Sequence, residues 1–329
     1  MPTYKFNFKA SPADKRDYTV RTTNTLDNKS TLVDLSNYCS SVKDQGALGS
    51  CTAFAAIGLV EFLYNKFEKK IDDLLSERFL YYVTRVDIEK TSPNDDSGAY
   101  LRDTLQAMIK YGVSTEKSFP YNTRLYYQKP DEKVYSEALN YQVQTYASIK
   151  GNGNELLQTI KKLLQGGSPF IGGVTCFQNF LMDKKGVIPQ PSGKIIGGHA
   201  LLFIGYDDKK SLIKFKNSWG KNWGDLGYGY LSYSYFLSGL VSDLWTISGV
   251  EYQNVVFDIT IPKKRIDAFN NRLNAILSKL NETTNSDTVI QEIRQNKANL
   301  LPEDITELTI IARRFAENIA MARNKLFSN

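Results

Sequence analysis

The stretch VKDQGALGSCTAFAA, residues 42–56, decides how this chain is read. Cys51 follows a Gly-Ser pair and opens the run CTAFAAIGLVEFLYNKFEKK to about Lys70, whose Ala, Leu and Phe residues are apolar almost all round at first. That is the pattern of a helix buried in a core, with Ser50 as a candidate N-cap. A cysteine at a helix N-terminus meets unsatisfied backbone N–H groups and the positive end of the helix dipole, both of which favour a thiolate. On composition alone the plainer reading, a buried structural thiol, prevails, because free cysteine is among the most buried residue types.

Working outward, further helical stretches are predicted at about 76–88, at 99–111 ending on Gly112, and at 154–165. After Gly166 the character changes. SPFIGGVTC, HALLFIGYDD, SLIKFKNSWG and YGYLSYSYF are short apolar or alternating runs broken by Gly, Asp and Asn, which predicts strands forming a sheet or barrel. Helices first and strands afterwards argue for an α+β chain of two lobes with a substrate cleft between them. Residues 1–31 are polar without sustained period and predict an extended arm; beyond IPKK, helices are predicted at about 263–280, 287–299 and 303–326. The expected organisation is an arm or leader at 1–31, a main domain at 32–251 and a C-terminal helical extension at 252–329.

Composition narrows the chemistry. Of 329 residues one is histidine, His199, which excludes His-rich zinc sites and His relays within one chain, and the three cysteines form no C-x-x-C pair, so no metal or other cofactor is expected. Acid/base work near neutral pH that needs imidazole must use His199. It lies in GGHALLFIGY, where a core histidine is at least as common as a functional one. Asn217 lies in FKNSWGKNWGDLGYGY, where the plain reading is a turn residue. Gln45 by itself carries no message. The net charge of +6 is spread along the chain and makes no nucleic-acid footprint. With no apolar run of about 18 residues and no apolar core in MPTYKFNFKASPADKRDY, the expectation is a chain without a membrane span or signal peptide, made in the cytosol.

In the order Gln45, Cys51, His199, Asn217, these residues resemble the papain (cathepsin-like) family of cysteine peptidases. The family signature is C-G-[SA]-C-[WY] with His and Asn about 130–150 residues downstream; here LGSCT is followed by His199 and Asn217, 148 and 166 residues on. Agreement extends to QG before GSC, FQNFLMDKKGVIP, GHA and KNSWGKNWGDLGYGYL. The resemblance implies the two-lobed papain-like fold, a helical left lobe and a β-barrel-like right lobe, with the helical block appended. It also implies an endopeptidase acting on protein or peptide substrates through a thioester. Cys51 would be the nucleophile, ion-paired with protonated His199, and Asn217 would orient the ring under the shield of Trp219. Gln45 and the Cys51 N–H would form the oxyanion hole. Gly49, Gly98, Ala99, Gly197, Gly198 and Ala200 would contact substrate.

The departures are informative. Leu48 and Asp96 stand at the two positions where papain relatives carry a disulfide, as a chain among reduced thiols tolerates. Ala99 replaces a glycine, Thr52 a tryptophan, and Gly198 a larger residue, the last widening a pocket for a bulky apolar side chain. A Cys39–Cys176 bridge is open as an alternative to two buried thiols. The arm is shorter than the family's helical pro-segment, and SPADKRDY resembles the short leader of bacterial and viral branches; it either occludes the cleft or wraps the surface. The C-terminal helices either pack on their own domain or dock to a second subunit, a substrate or a particle, the virion if the source is a virus. A catalytically inert scaffold and an acyl or peptidyl transferase are the competing readings of the whole.

Overall fold

The computed structural model describes residues 4–22, 30–67, 74–143, 145–181, 185–248 and 257–260. The helices expected beyond residue 263 lie outside them. Two compact units divide the chain: the first takes residues up to Pro12 and Thr19–Ile259, the second Ala13–Tyr18 together with Thr260–Asn329. Of the second, residues 13–18 form a turn in which Arg16 pairs with Asp14 at 2.6 Å.

The first unit is built around helix α1, Cys51–Lys66, buried continuously from Cys51 to Leu63. The apolar run dictates this, since a helix with no polar stripe has no face to give to water. Gly58 lets α1 approach the sheet: a Cβ there would stand 3.2 Å from Leu202. Helix α2, Glu77–Tyr82, is capped by Ser76, whose hydroxyl accepts from the Phe79 N–H at 3.1 Å. Helix α3, Leu101–Tyr111, ends on Gly112 at φ 69°, the left-handed conformation glycine adopts without strain. Helices α4, Glu132–Ala138, and α5, Gly153–Gln165, follow, and α6, Tyr233–Leu237, lies late in the chain.

Nine strands are described: β1 Thr19–Thr22, β2 Leu32–Asp34, β3 Thr145–Ile149, β4 Phe170–Phe177, β5 Ile195–Asp207, β6 Leu212–Lys216, β7 Tyr228–Ser232, β8 Val241–Ser248 and β9 Phe257–Thr260. They form one sheet in the order β7-β6-β5-β4-β8-β3-β1-β9, with β2 paired to β5 off that path. The α+β class and helical-then-stranded order agree with the sequence reading.

Four expectations are corrected. The sheet is an open path among the described residues rather than a closed barrel. The helix predicted over 76–88 stops at Tyr82 and continues as a π-helical turn, Val83–Ile88, in which Glu89 N–H reaches the Thr84 carbonyl. That turn goes with a buried Arg85 whose guanidinium meets the carbonyls of Pro93, Asp95 and Tyr126. YGYLSYSYF is strand only to Ser232, because Tyr235 and Phe236 are both buried, and successive inward side chains break a period of two. The block expected to be helical from 252 includes strand β9. Among the described residues no helix is long and apolar enough to cross a membrane.

Candidate active site

Helix α1 and strand β5 pack together, and this contact brings the predicted residues to one place. Cys51 is the first residue of α1 and fully buried. Ser50 occupies the N-cap position without its side chain capping the helix; its hydroxyl instead lies 2.7 Å from the Tyr121 hydroxyl. Ala53 N–H turns back to the Ser50 carbonyl at 3.0 Å, while the backbones of Ala200, Thr52 and Cys51 itself favour the ionised sulfur. Ala200 follows His199 on β5, so the backbone that favours the ionised sulfur belongs to the histidine strand.

His199 pairs in register with Val174 of β4 and is fully buried. Its Nε2 lies 2.8 Å from Asn217 Oδ1, which also accepts the Ser218 N–H at 2.8 Å. An oxygen that accepts from a backbone N–H is not a donor, so Nε2 must carry the proton it gives to Asn217. Neutral imidazole then bears its lone pair on Nδ1, and Nδ1 is buried with no hydrogen-bond partner among the described residues. Trp219 stacks on the ring at 4.7 Å and 20° and is itself buried, which keeps water from the Asn217 bond.

Gln45 is fully buried. Its Oε1 accepts from Ser218 Oγ at 2.5 Å and its Nε2 donates to the Leu48 carbonyl at 2.8 Å. One of the two amide hydrogens is thus committed to the 45–48 turn and one is left for the groove. The sequence offers no signal for the part played by Ser218.

Burial works against the expected thiolate–imidazolium pair. Burial pushes the Cys51 thiol up to about 11, the backbone hydrogen bonds opposing it and the Asp96 carboxylate adding to it. Burial also lowers His199 to about 4 against the hydrogen bond to Asn217. Both shifts favour the neutral forms, because neither ion has water.

What covers them is the N-terminal segment. Phe8 N–H donates to the Gly198 carbonyl at 3.1 Å and Gly198 N–H to the Phe6 carbonyl at 3.2 Å. Phe6 meets the His199 ring edge-on at 6.3 Å, and Tyr4 stacks on Trp219 at 4.2 Å. The four glycines among the residues expected to contact substrate lie against this segment. A Cβ at Gly98, already at φ +70°, would overlap the Asn7 carbonyl, and one at Gly198 would stand 2.8 Å from the Phe8 ring. Gly49 lies against Asn7, and Gly197 against Phe6. Ala99 and Ala200 are buried, Ala99 fully. The Phe8 ring lies against both Gly198 and Gly173.

The absent bridge is replaced by hydrogen bonds. Asp96 Oδ1 accepts from Gly49 N–H at 3.0 Å and from the Tyr81 hydroxyl at 2.6 Å, while Leu48 is packed in the core. The alternative Cys39–Cys176 bridge does not form: all three cysteines are free. Burial pushes the Cys39 thiol up to about 11.

Beneath α1 lies a buried charge cluster that sequence reasoning missed. Lys43 Nζ lies 2.7 Å from Glu77 and 3.1 Å from Glu61, and Ser40 Oγ donates to the other Glu61 oxygen. The two carboxylates hold the Lys43 ammonium above its ordinary range, while burial, only partly offset by Lys43, lifts Glu77. The available signal was Glu61, a lone charge inside an otherwise apolar helix, which demands a partner.

The chain matches the family described as papain family cysteine protease over residues 26–241. It is 33% identical over 217 residues to an uncharacterized peptidase C1-like protein of Acanthamoeba polyphaga mimivirus, covering 63% of this chain and 69% of that one. It is 34% identical over 200 residues to chymopapain of Carica papaya, covering 57% of this chain and 50% of the relative. Among solved structures it superposes on xylellain, a cysteine protease from Xylella fastidiosa, with a TM-score of 0.69 and 30% identity, over 76% of this chain and 98% of that one. With that match spanning most of the first compact unit and the sequence order of Cys51, His199 and Asn217, the chain belongs to the papain family of cysteine proteases.

Proposed function

We propose that Cys51, His199, Asn217 and Gln45 hydrolyse peptide bonds through a thioester. The observation that carries this reading is His199 held through Nε2 by Asn217 Oδ1 at 2.8 Å, its buried Nδ1 unpartnered among the described residues, on the strand packed against the helix that Cys51 opens. With Nε2–H held by Asn217, the free Nδ1 lone pair accepts the thiol proton once the groove admits water and substrate. The thiolate attacks the scissile carbonyl. The oxyanion that forms meets the Cys51 N–H and the uncommitted Gln45 amide hydrogen, such donors contributing about 3 kcal/mol each in acyl-transfer enzymes. Imidazolium then returns its proton to the leaving amine, and water, deprotonated at Nδ1, releases the acid from the thioester. Trp219 is a positioning residue that keeps the His199–Asn217 bond dry.

The N-terminal segment acts as an occluding arm over this site. Its Phe8 ring beside Gly198 and Gly173 supports a preference for a bulky apolar substrate side chain in the same pocket. Residues 32–251 form the peptidase domain in this reading, and the C-terminal block is an addition to it. A thiol-directed epoxide together with a fluorogenic peptide panel tests the proposal on the full chain. The expected result is one covalent adduct on Cys51 and turnover abolished by Cys51→Ala. An unmodified Cys51, with turnover equal in the variant, would leave only an inert scaffold, and product joined to an added amine in preference to water would indicate a transferase.

A further inference from the structure

Asp96 makes more bonds toward the groove than its role as a substitute for a bridge requires. Oδ1 is fixed by Gly49 N–H and the Tyr81 hydroxyl, and Tyr81 is held in turn by the Gly98 N–H at 3.1 Å. Oδ2 takes a longer contact from Gly49 N–H, 3.2 Å, and is otherwise turned to the Lys5 ammonium at 2.5 Å. The Lys5 side chain is 44% exposed and that of Asp96 10%. All the fixed donors are neutral. The buried Arg85 lies over the Tyr81 ring at 4.4 Å and gives its terminal N–H groups to backbone carbonyls rather than to this carboxylate. Gly49, Gly98 and the Asp96 carbonyl all contact Asn7, so the carboxylate stands in the wall of the groove that the arm fills. Once the arm leaves, a rigid anion with one unfilled acceptor faces the space left behind.

We infer that Asp96 is a specificity-determining residue, forming a subsite for the ammonium or guanidinium of a lysine or arginine in the peptide substrate, and that Lys5 occupies this subsite in the arm-covered chain. The inference rests on the peptidase reading above. Gly49, whose N–H Asp96 accepts, precedes Cys51 by two residues, about 7 Å of chain at most. A lysine stem of about 6 Å spans such a gap, so the side chain read is that of the residue whose carbonyl is attacked. The effect of Asp96 on the Cys51 thiol agrees with this closeness. The apolar pocket holding Phe8 and the Asp96 subsite together describe a substrate with one bulky apolar and one basic side chain.

The test uses the full chain carrying Lys5→Met, which empties the subsite at an exposed position, and paired peptides that differ only in lysine or norleucine at the residue donating the scissile carbonyl. The expected result is a preference for lysine of about 10-fold in kcat/KM, reduced to within about 2-fold by adding Asp96→Asn, the range of a partly screened charge pair. Asn keeps an acceptor for Gly49 and Tyr81. In parallel, the same peptides, fluorescently labelled, are titrated against Cys51→Ala/Lys5→Met chain, so that selectivity is read without turnover. Turnover lacking a lysine preference, or a preference that survives Asp96→Asn, would overturn the subsite and leave the peptidase standing. Selective, Asp96-dependent binding with no turnover in the Cys51 chain would do the reverse. Should Asp96→Asn fail to fold, Lys5→Glu reads the same carboxylate by repulsion: basal turnover several-fold above that of Lys5→Met is expected, and equal rates would refute the subsite.

Discussion

Two regions flank α1, a floor of charges around its Glu61 and a roof over its N-terminus, and they do so by opposite means. Below, Lys43, Glu61 and Glu77 meet as charges inside the fold, with Glu61 and Glu77 side chains 3% and 2% exposed. Above, the arm covers Cys51 and His199 with aromatic rings and two backbone hydrogen bonds, and its ion pair with the groove wall, Lys5–Asp96, reaches the surface. Removing one charge from a buried group strands the others without water, whereas peeling off an arm returns each of its groups to solvent. The floor is thus the costlier of the two to open, and in the proposed reading the roof is the part that leaves.

The sharpest way to break this comparison is Lys43→Met. It leaves two carboxylates facing each other in the interior, and a loss of about 3–5 kcal/mol in unfolding free energy is expected. Adding Glu77→Gln should recover part of it, since the two positions share one network. Urea denaturation measures both. A loss under about 1 kcal/mol for the single variant would show that the floor is no more fixed than the roof.

Acid provides the second, smaller effect. Burial holds His199 at about 4, below its ordinary 6.5. A depressed pKa gives stability that is complete above about 6.5 and is lost as pH falls toward 4, up to about 3 kcal/mol at about 1.4 kcal/mol per unit. Uncovering His199 relieves the same penalty at far lower cost than unfolding α1, so the loss should appear first as arm release. Hydrogen-exchange protection of Phe8 N–H, which bonds to Gly198, should fall by up to about 100-fold between pH 6.5 and 4.5 while that of Phe62 in α1 holds. Parallel loss at both sites would mean that arm and helix open as one unit.

The two regions were also unequally legible. The helix opening on Cys51 follows from an apolar run without a polar face, and the motif order points to His199 and Asn217. The charge cluster was half visible: Glu61 announced itself as misplaced, but nothing local tied it to Lys43 and Glu77, which lie 18 and 16 residues away and meet it only after packing. The arm was legible as extended chain and no further, because an irregular segment has no period, and its contacts with Gly98, Gly198 and Trp219 come from backbone approach and ring stacking across about 90–215 residues of sequence. The π-helical turn after Tyr82 escaped for a related reason: it goes with Arg85 reaching carbonyls in loops that local sequence does not place.

The smallest effect concerns the stack of Tyr4 on Trp219, at 4.2 Å and 13°. A stacked aromatic pair contributes about 0.5–1.5 kcal/mol beyond its buried area, so Tyr4→Ala should raise the open fraction of the groove roughly 2- to 10-fold. Basal peptide turnover of the full chain reads that fraction directly while the arm is mostly closed, and Tyr4→Phe, which keeps the ring and drops only the hydroxyl, should stay near the parent rate. Unfolding free energy should move little in either variant, because the ring lies on the roof and not in the packing around α1. If Tyr4→Ala instead lowers stability by as much as it raises turnover, the arm is a structural strand of the fold, and the distinction between a floor that stays and a roof that leaves fails at the residue where it is easiest to measure.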